Sequence, residues 1–250
     1  MKIETFKVHK VFGGREVTLY PTVLELNGKK YLIDCGYEET FDEFLAGLKN
    51  LQIEVTDLHA ILLSHDDIDH LGALYLFKSK NPNLIVYSSS IEAPYISGKN
   101  KSERLQQAED SLINVPKEHK AWAEGFIEQL KGIKRMEVDL VLEDNEKIEN
   151  EIEVIFTPGH TKGHISFYVP SQQLVIANDA VVVEEQGLDI ANPQFTLDMH
   201  QAINSVERIK RLSPKKMICY HGGIVEGEIN EKLNALIRMH ETTSDRSLMQ

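Results

Sequence analysis

Between positions 65 and 70 the chain places His65, Asp67, Asp69 and His70, four side chains able to bind a metal ion or carry a proton. Carboxylates packed that closely cannot satisfy one another without stacking negative charge, so a cation is the natural resolution. Three further pieces follow. In Thr157-Pro158-Gly159-His160-Thr161-Lys162-Gly163-His164, glycines on both sides of His160 permit a sharp turn that presents its imidazole. Asn178-Asp179 and Tyr220-His221-Gly222-Gly223 each leave an apolar run with a group that can bind metal. Taken singly, each histidine reads more readily as a hydrogen-bonded structural residue. Four such pieces in series are a different matter.

To converge, these groups need rigid carriers. Thr18-Leu19-Tyr20, Val23-Leu24-Glu25-Leu26 and Tyr31-Leu32-Ile33-Asp34 read as strands, and Asn27-Gly28 supplies the positive φ of a tight hairpin. Phe41, Phe44, Leu45, Leu48 and Leu51 recur at helical spacing and predict an amphipathic helix laid on the sheet. The apolar run Ala60-Ile61-Leu62-Leu63 has the pattern of a strand buried on both faces, and it ends in the cluster at 65–70. Leu84-Ile85-Val86-Tyr87 is a further strand. From about 92 to 132 the pattern is charged and helical, an insertion of helices, in which Trp122, Phe126, Ile127 and Leu130 form a stripe read as packing surface. Strand signals return at 138–142, 153–156, 165–169, 174–177 and 216–220, with helices at 199–212 and 229–239. Two blocks of strands, each followed by helices, predict stacked sheets with helices outside, an α/β (α+β) fold of four layers, αββα. With no repeat and no linker, residues 1–250 read as one domain.

In order, the four pieces resemble the metallo-β-lactamase superfamily, whose His-x-His-x-Asp-His motif is followed by a Gly-His, an Asp and a last His. The resemblance runs from Leu32-Ile33-Asp34-Cys35-Gly36 to His221-Gly222-Gly223. It implies two divalent metal ions, zinc first and manganese or iron as alternatives. One would be held by His65, Asp67 and His160, the other by Asp69, His70 and His221, with Asp179 bridging. It implies attack by a metal-bound hydroxide on a small ester, lactone or thioester, Asp69 orienting the nucleophile and shuttling its proton. The chain departs from the motif at Asp67, where the family has His, so either Asp67 is a ligand or it turns away. On the sequence alone this makes the site one unit less positive, which predicts weaker activation of water and favours harder ions. His164 is expected to support a ligand or touch substrate, and Asp34 to brace a ligand histidine or a loop. Tyr95 is a candidate proton donor to a leaving group, and Lys99 a candidate partner for a substrate anion. Two other readings stay open: an iron-dependent oxidoreductase of the flavodiiron type without its flavodoxin domain, and a binding module that has lost catalysis.

Composition narrows the partners. The formal net charge is −12, which repels phosphate backbones and anionic membrane surfaces, so a small-molecule substrate is expected, with no nucleic acid and no membrane. The first residues lack a secretory signal and no apolar run reaches the roughly 20 residues of a membrane span, so a cytoplasmic location is expected. Cys35 and Cys219 read as small buried hydrophobes, and the stripe near Trp122 leaves room for a homodimer.

Overall fold

The computed structural model describes residues 1–247, and for position 15 and positions 242–247 it describes the backbone alone. The last three positions of the expected 1–250 span lie outside the described residues. The first part of the chain forms β1 (Lys2–Thr5), β2 (Val8–Phe12), β3 (Arg15–Leu19), β4 (Thr22–Leu26), β5 (Lys29–Ile33), α1 (Phe41–Asn50), β6 (Leu58–Leu62), α2 (Ile68–Leu71), α3 (Leu74–Lys80) and β7 (Ile85–Ser89). Three helices follow, α4 (Ala93–Ile96), α5 (Glu103–Ser111) and α6 (Lys120–Lys131), before β8 (Leu140–Leu142). The second part comprises β9 (Lys147–Ile148), β10 (Ile152–Phe156), β11 (Ile165–Val169), β12 (Leu174–Asn178), β13 (Val182–Glu184), β14 (Gly187–Asp189), α7 (Met199–Arg211), β15 (Lys216–Cys219), β16 (Gly223–Glu226) and α8 (Ile229–Ser247).

Two six-stranded sheets result, ordered β1-β4-β5-β6-β7-β8 and β16-β15-β12-β11-β10-β9, with β2-β3 and β13-β14 as separate hairpins. The period of two in the strands explains the layering. In β5 Tyr31 and Ile33 face one way and Leu32 the other; in β6 Ala60 and Leu62 oppose Ile61. The first set meets Val154, Ile165, Phe167 and Ile176 of the second sheet in a shared interior. Leu32 and Ile61 turn outward and pack with Phe44 of α1 and Phe77 of α3. In the second sheet Ile176 and Ile218 point inward, while Val175, Ala177, Met217 and Cys219 pack under α7 and α8. Helices α1, α3, α7 and α8 thereby bury their apolar faces on sheets whose strands are apolar on both sides, giving the four layers αββα. The turn at Asn27-Gly28 has φ of 52° and 76°, as a two-residue hairpin between β4 and β5 requires. Among the described residues, no helix is long and apolar enough to cross a membrane.

Candidate metal centre

The strands that end at one edge of both sheets deliver the polar groups. His65 follows β6, His160 sits in the turn after β10, Asp179 follows β12 and His221 follows β15. Asp67 opens α2, whose short turn carries Asp69 and His70; His70 N–H donates to the Asp67 carbonyl at 3.0 Å. Tyr220 anchors this turn by donating its phenolic hydrogen to the Asp69 carbonyl at 2.9 Å.

Three sets of ligand atoms gather within 4.8 Å of one another: His65 with Asp67 and His160, His65 with His70 and Asp179, and Asp69 with His70 and His221. Asp179 touches both sides, with Oδ1 at 3.3 Å from His70 Nε2 and 3.6 Å from His221 Nε2, and Oδ2 at 3.6 Å from His160 Nε2. Asp69 Oδ2 lies 3.1 Å from His221 Nε2.

The rings are aimed from behind. Ser64 gives its hydroxyl hydrogen to Asp34 Oδ2 at 2.7 Å, so it can only accept from His65 Nδ1, 2.9 Å away. The carboxylate of Asp34 likewise accepts from His70 Nδ1 at 2.8 Å. Both rings therefore keep hydrogen on Nδ1 and turn the lone pair of Nε2 into the cluster. Those two Nε2 atoms and Asp179 Oδ1 are buried without a hydrogen-bond partner. Buried polar atoms are seldom left so, and a divalent cation is the partner that these donors fit.

His164 faces the other way. Asp179 N–H donates to its Nε2 at 3.2 Å, leaving Nδ1–H for Thr157 Oγ1 at 2.8 Å, so the ring is neutral and holds the backbone at Asp179. Burial first, then the neighbouring His65 and His160, push its pKa well below the ordinary imidazole value. Burial opposes charge on His70 as well, but the carboxylates of Asp179, Asp69 and Asp34 outweigh it and hold that pKa well above normal, so Nε2 takes a proton when no cation is bound and a metal ion would supply the same positive charge in its place. Burial likewise opposes charge on Asp179, and His221 and His70 overcome it.

Two supporting residues have no counterpart in the sequence pattern. Arg104 of α5, only 3% exposed, donates from Nε to Asp67 Oδ1 at 3.0 Å and from Nη2 to Oδ2 at 2.7 Å. The negative charge that Asp67 adds is thus met by a guanidinium, which offsets the loss of positive charge expected from the motif. Glu92, just before α4, ties two ligand-bearing loops together: Oε2 accepts from Asp66 N–H at 3.1 Å, and Oε1 from Thr161 Oγ1 at 2.6 Å and Gly163 N–H at 2.8 Å. A lone arginine or glutamate in a charged helical stretch carries no spacing signal that would mark it.

Asp67, Asp69, His160, Asp179 and His221 form the floor of a cavity of about 280 Å³, walled by Phe126 and Leu130 of α6, Phe195, Val182 and Tyr37. Half of the stripe expected to be packing surface therefore lines the site, while Ile127 is buried beneath. Tyr95 and Lys99 do not line this cavity: Tyr95 Oη donates to Glu103 at 3.4 Å, and the exposed Lys99 pairs with Glu137 at 2.7 Å.

The turn at His160 depends on Gly159, whose φ is 135°, with the start of α7 against it; a Cβ there would lie 2.2 Å from the backbone nitrogen of Ala202. Gly159→Ala is expected to cost about 2–4 kcal/mol, from the strained φ and the overlap together. Denaturant unfolding measures it, and an unchanged midpoint would show that the turn yields freely.

Comparison with known proteins agrees with this geometry. The family model described as the metallo-beta-lactamase superfamily matches residues 20–221. The chain is 27% identical over 202 residues to "Probable metallo-hydrolase YflN" of Bacillus subtilis, covering 76% of this chain and 74% of that protein. It is 27% identical over 188 residues to the hydroxyacylglutathione hydrolase of Buchnera aphidicola, covering 75% of this chain and 55% of that one, about half its length. Among solved structures, a metallo-beta-lactamase family protein of Thermus thermophilus superposes with a TM-score of 0.75 at 18% identity, over 96% of this chain and 79% of that one.

Proposed function

The chain belongs to the metallo-β-lactamase superfamily, and from that premise we propose that it is a metal-dependent hydrolase of a small ester, lactone or thioester. The observation that supports this most directly is the set of unpartnered, buried atoms, His65 Nε2, His70 Nε2 and Asp179 Oδ1, gathered with the carboxylates and imidazoles that line an open cavity. His65, Asp67 and His160 would hold one divalent ion and Asp69, His70 and His221 a second, with Asp179 between them; four imidazoles favour zinc over harder ions. Bound there, such ions supply Lewis acidity, lowering the pKa of water and drawing electrons from the scissile carbonyl.

The chain's own residues do the rest. Asp69 is the carboxylate at the open side of the floor, and we assign it to orient the attacking water and take its proton. Asp34 and Ser64 keep the His65 and His70 rings from rotating, which preserves the geometry that the reaction needs. The aromatic and aliphatic wall of Phe126, Leu130 and Phe195 excludes water from one side and suits a short acyl or other apolar arm of the substrate. A thioester is the first member of the class to test, because the Buchnera relative is named for hydrolysis of an acyl group carried by glutathione.

The test is chelator treatment followed by reconstitution with zinc or manganese, read on a panel of acyl thioesters, lactones and phosphodiesters. Thioester or lactone turnover that vanishes with chelation and returns with metal is the expected result. Equal turnover after complete metal removal would overturn the reading, and oxygen uptake by iron-loaded protein without hydrolysis would replace it with redox chemistry.

A further inference from the structure

The sequence pattern counts Asp67 as an added negative charge, but the side chain never stands alone. Arg104 grips it through three contacts, Nε to Oδ1 at 3.0 Å, Nε to Oδ2 at 3.2 Å and Nη2 to Oδ2 at 2.7 Å. The guanidinium is itself fixed. Its Nη1 donates to Gln107 Oε1 at 2.5 Å, and its central carbon lies 5.5 Å from the centre of the Phe195 ring. Both partners are buried, and the Asp67 carboxylate reaches His160 Nε2 at 3.0 Å and His65 Nε2 at 3.6 Å through the same Oδ2. Oδ1 meets the arginine alone, while Oδ2 is shared between the arginine and the two imidazoles.

A buried arginine within 3.5 Å of a ligand-type imidazole nitrogen is an odd neighbour for a site that collects cations. Its presence is costly unless its charge is cancelled. We propose that Asp67 and Arg104 act as one uncharged unit that takes the place of a single neutral donor in the first cation site. Arg104 is the positioning residue: it cancels the charge of the carboxylate and presents Oδ2 to the space between His65 and His160. This rests on the metal-centre reading above and says how its first half is built. The planar fork matters, since two parallel N–H donors fix a carboxylate in a way that a lysine does not.

The unit makes the two residues interdependent, and zinc binding reads that directly. In full-length protein, Asp67→His supplies a neutral donor but strands the guanidinium beside the cation, so the equivalent held by His65 and His160 should weaken by roughly 10- to 100-fold in competition with a chromophoric chelator. Asp67→His/Arg104→Met removes the stranded charge and should bring affinity back to within about threefold of the parent, the size of error expected for such comparisons. If Arg104 merely fills space, the double variant binds zinc as weakly as Asp67→His or more weakly, and the proposal fails. Circular dichroism checks folding of each protein. Should Asp67→His not fold, Asp67→Asn against Asp67→Asn/Arg104→Gln measures the same coupling with an isosteric change at 67 and an uncharged polar side chain at 104, and absence of recovery there also overturns it. Parent protein that takes up no zinc sinks the metal-centre reading itself, whereas parent protein that binds zinc and shows no coupling sinks only the Asp67–Arg104 unit.

Discussion

Asp179→Asn should abolish turnover by a factor of about 10³ or more and release at least one equivalent of bound divalent ion. The reason is geometric. Asp179 lies within 3.6 Å of the Nε2 atoms of His70, His160 and His221, so its charge serves both halves of the cluster. Its backbone is held independently, by the N–H bond to His164 and by Asn178, which sits at φ 49° and donates from Nδ2 to the Ile165 carbonyl at 3.0 Å. The amide is the same size, so the fold has no reason to move; what disappears is the negative charge facing three imidazoles. Metal content by elemental analysis and kcat/KM on a responsive substrate are the two readings. Full metal content with unimpaired turnover would show that Asp179 is not the bridge.

Glu92→Gln should change how stability responds to pH, with a swing on the order of 3–5 kcal/mol. Burial, and then the neighbouring Asp66 carboxylate, push Glu92 up to about 8, against hydrogen bonds from Thr161 and Gly163 that favour its charged form. In the unfolded chain the group titrates at about 4.3. Its folded pKa is raised, so its contribution is fully present below pH 4–5 and is lost as pH climbs through 8. The glutamine variant does not titrate there, and its amide cannot accept all three bonds that Glu92 accepts. It should therefore be the less stable protein at pH 5, with the gap narrowing as pH rises to about 8 and level from there to pH 9. Thermal melts of both proteins across that range decide; parallel curves would mean that Glu92 is ionised throughout.

The hairpin at Asn27-Gly28 and the apolar strands around Ile61 and Ile176 could be read from the sequence because their signals are local: a positive-φ pair, and runs without polar interruption. Of the β2-β3 hairpin only Thr18-Leu19-Tyr20, at the end of β3, gave a strand signal; β2 and the β13-β14 hairpin carry no such run. For the site, the imidazoles and carboxylates were legible because they gather in four short segments, each following an apolar strand. Arg104 and Glu92 were not, since their roles depend on where the helices between β7 and β8 settle on the sheet edge. The same dependence explains why Phe126 and Leu130 face the cavity while their stripe-mate Ile127 does not.

All strands of the first sheet lie before residue 143 and all strands of the second lie after residue 146, so the two sheets are built from consecutive halves of the chain. The earlier half contributes Asp67, Asp69 and two imidazoles; the later contributes Asp179 and two more. Neither possesses a complete set. On the proposed assignment, neither divalent ion would have its full ligand set until the halves have closed on each other. Assembly is thereby its own licence to act.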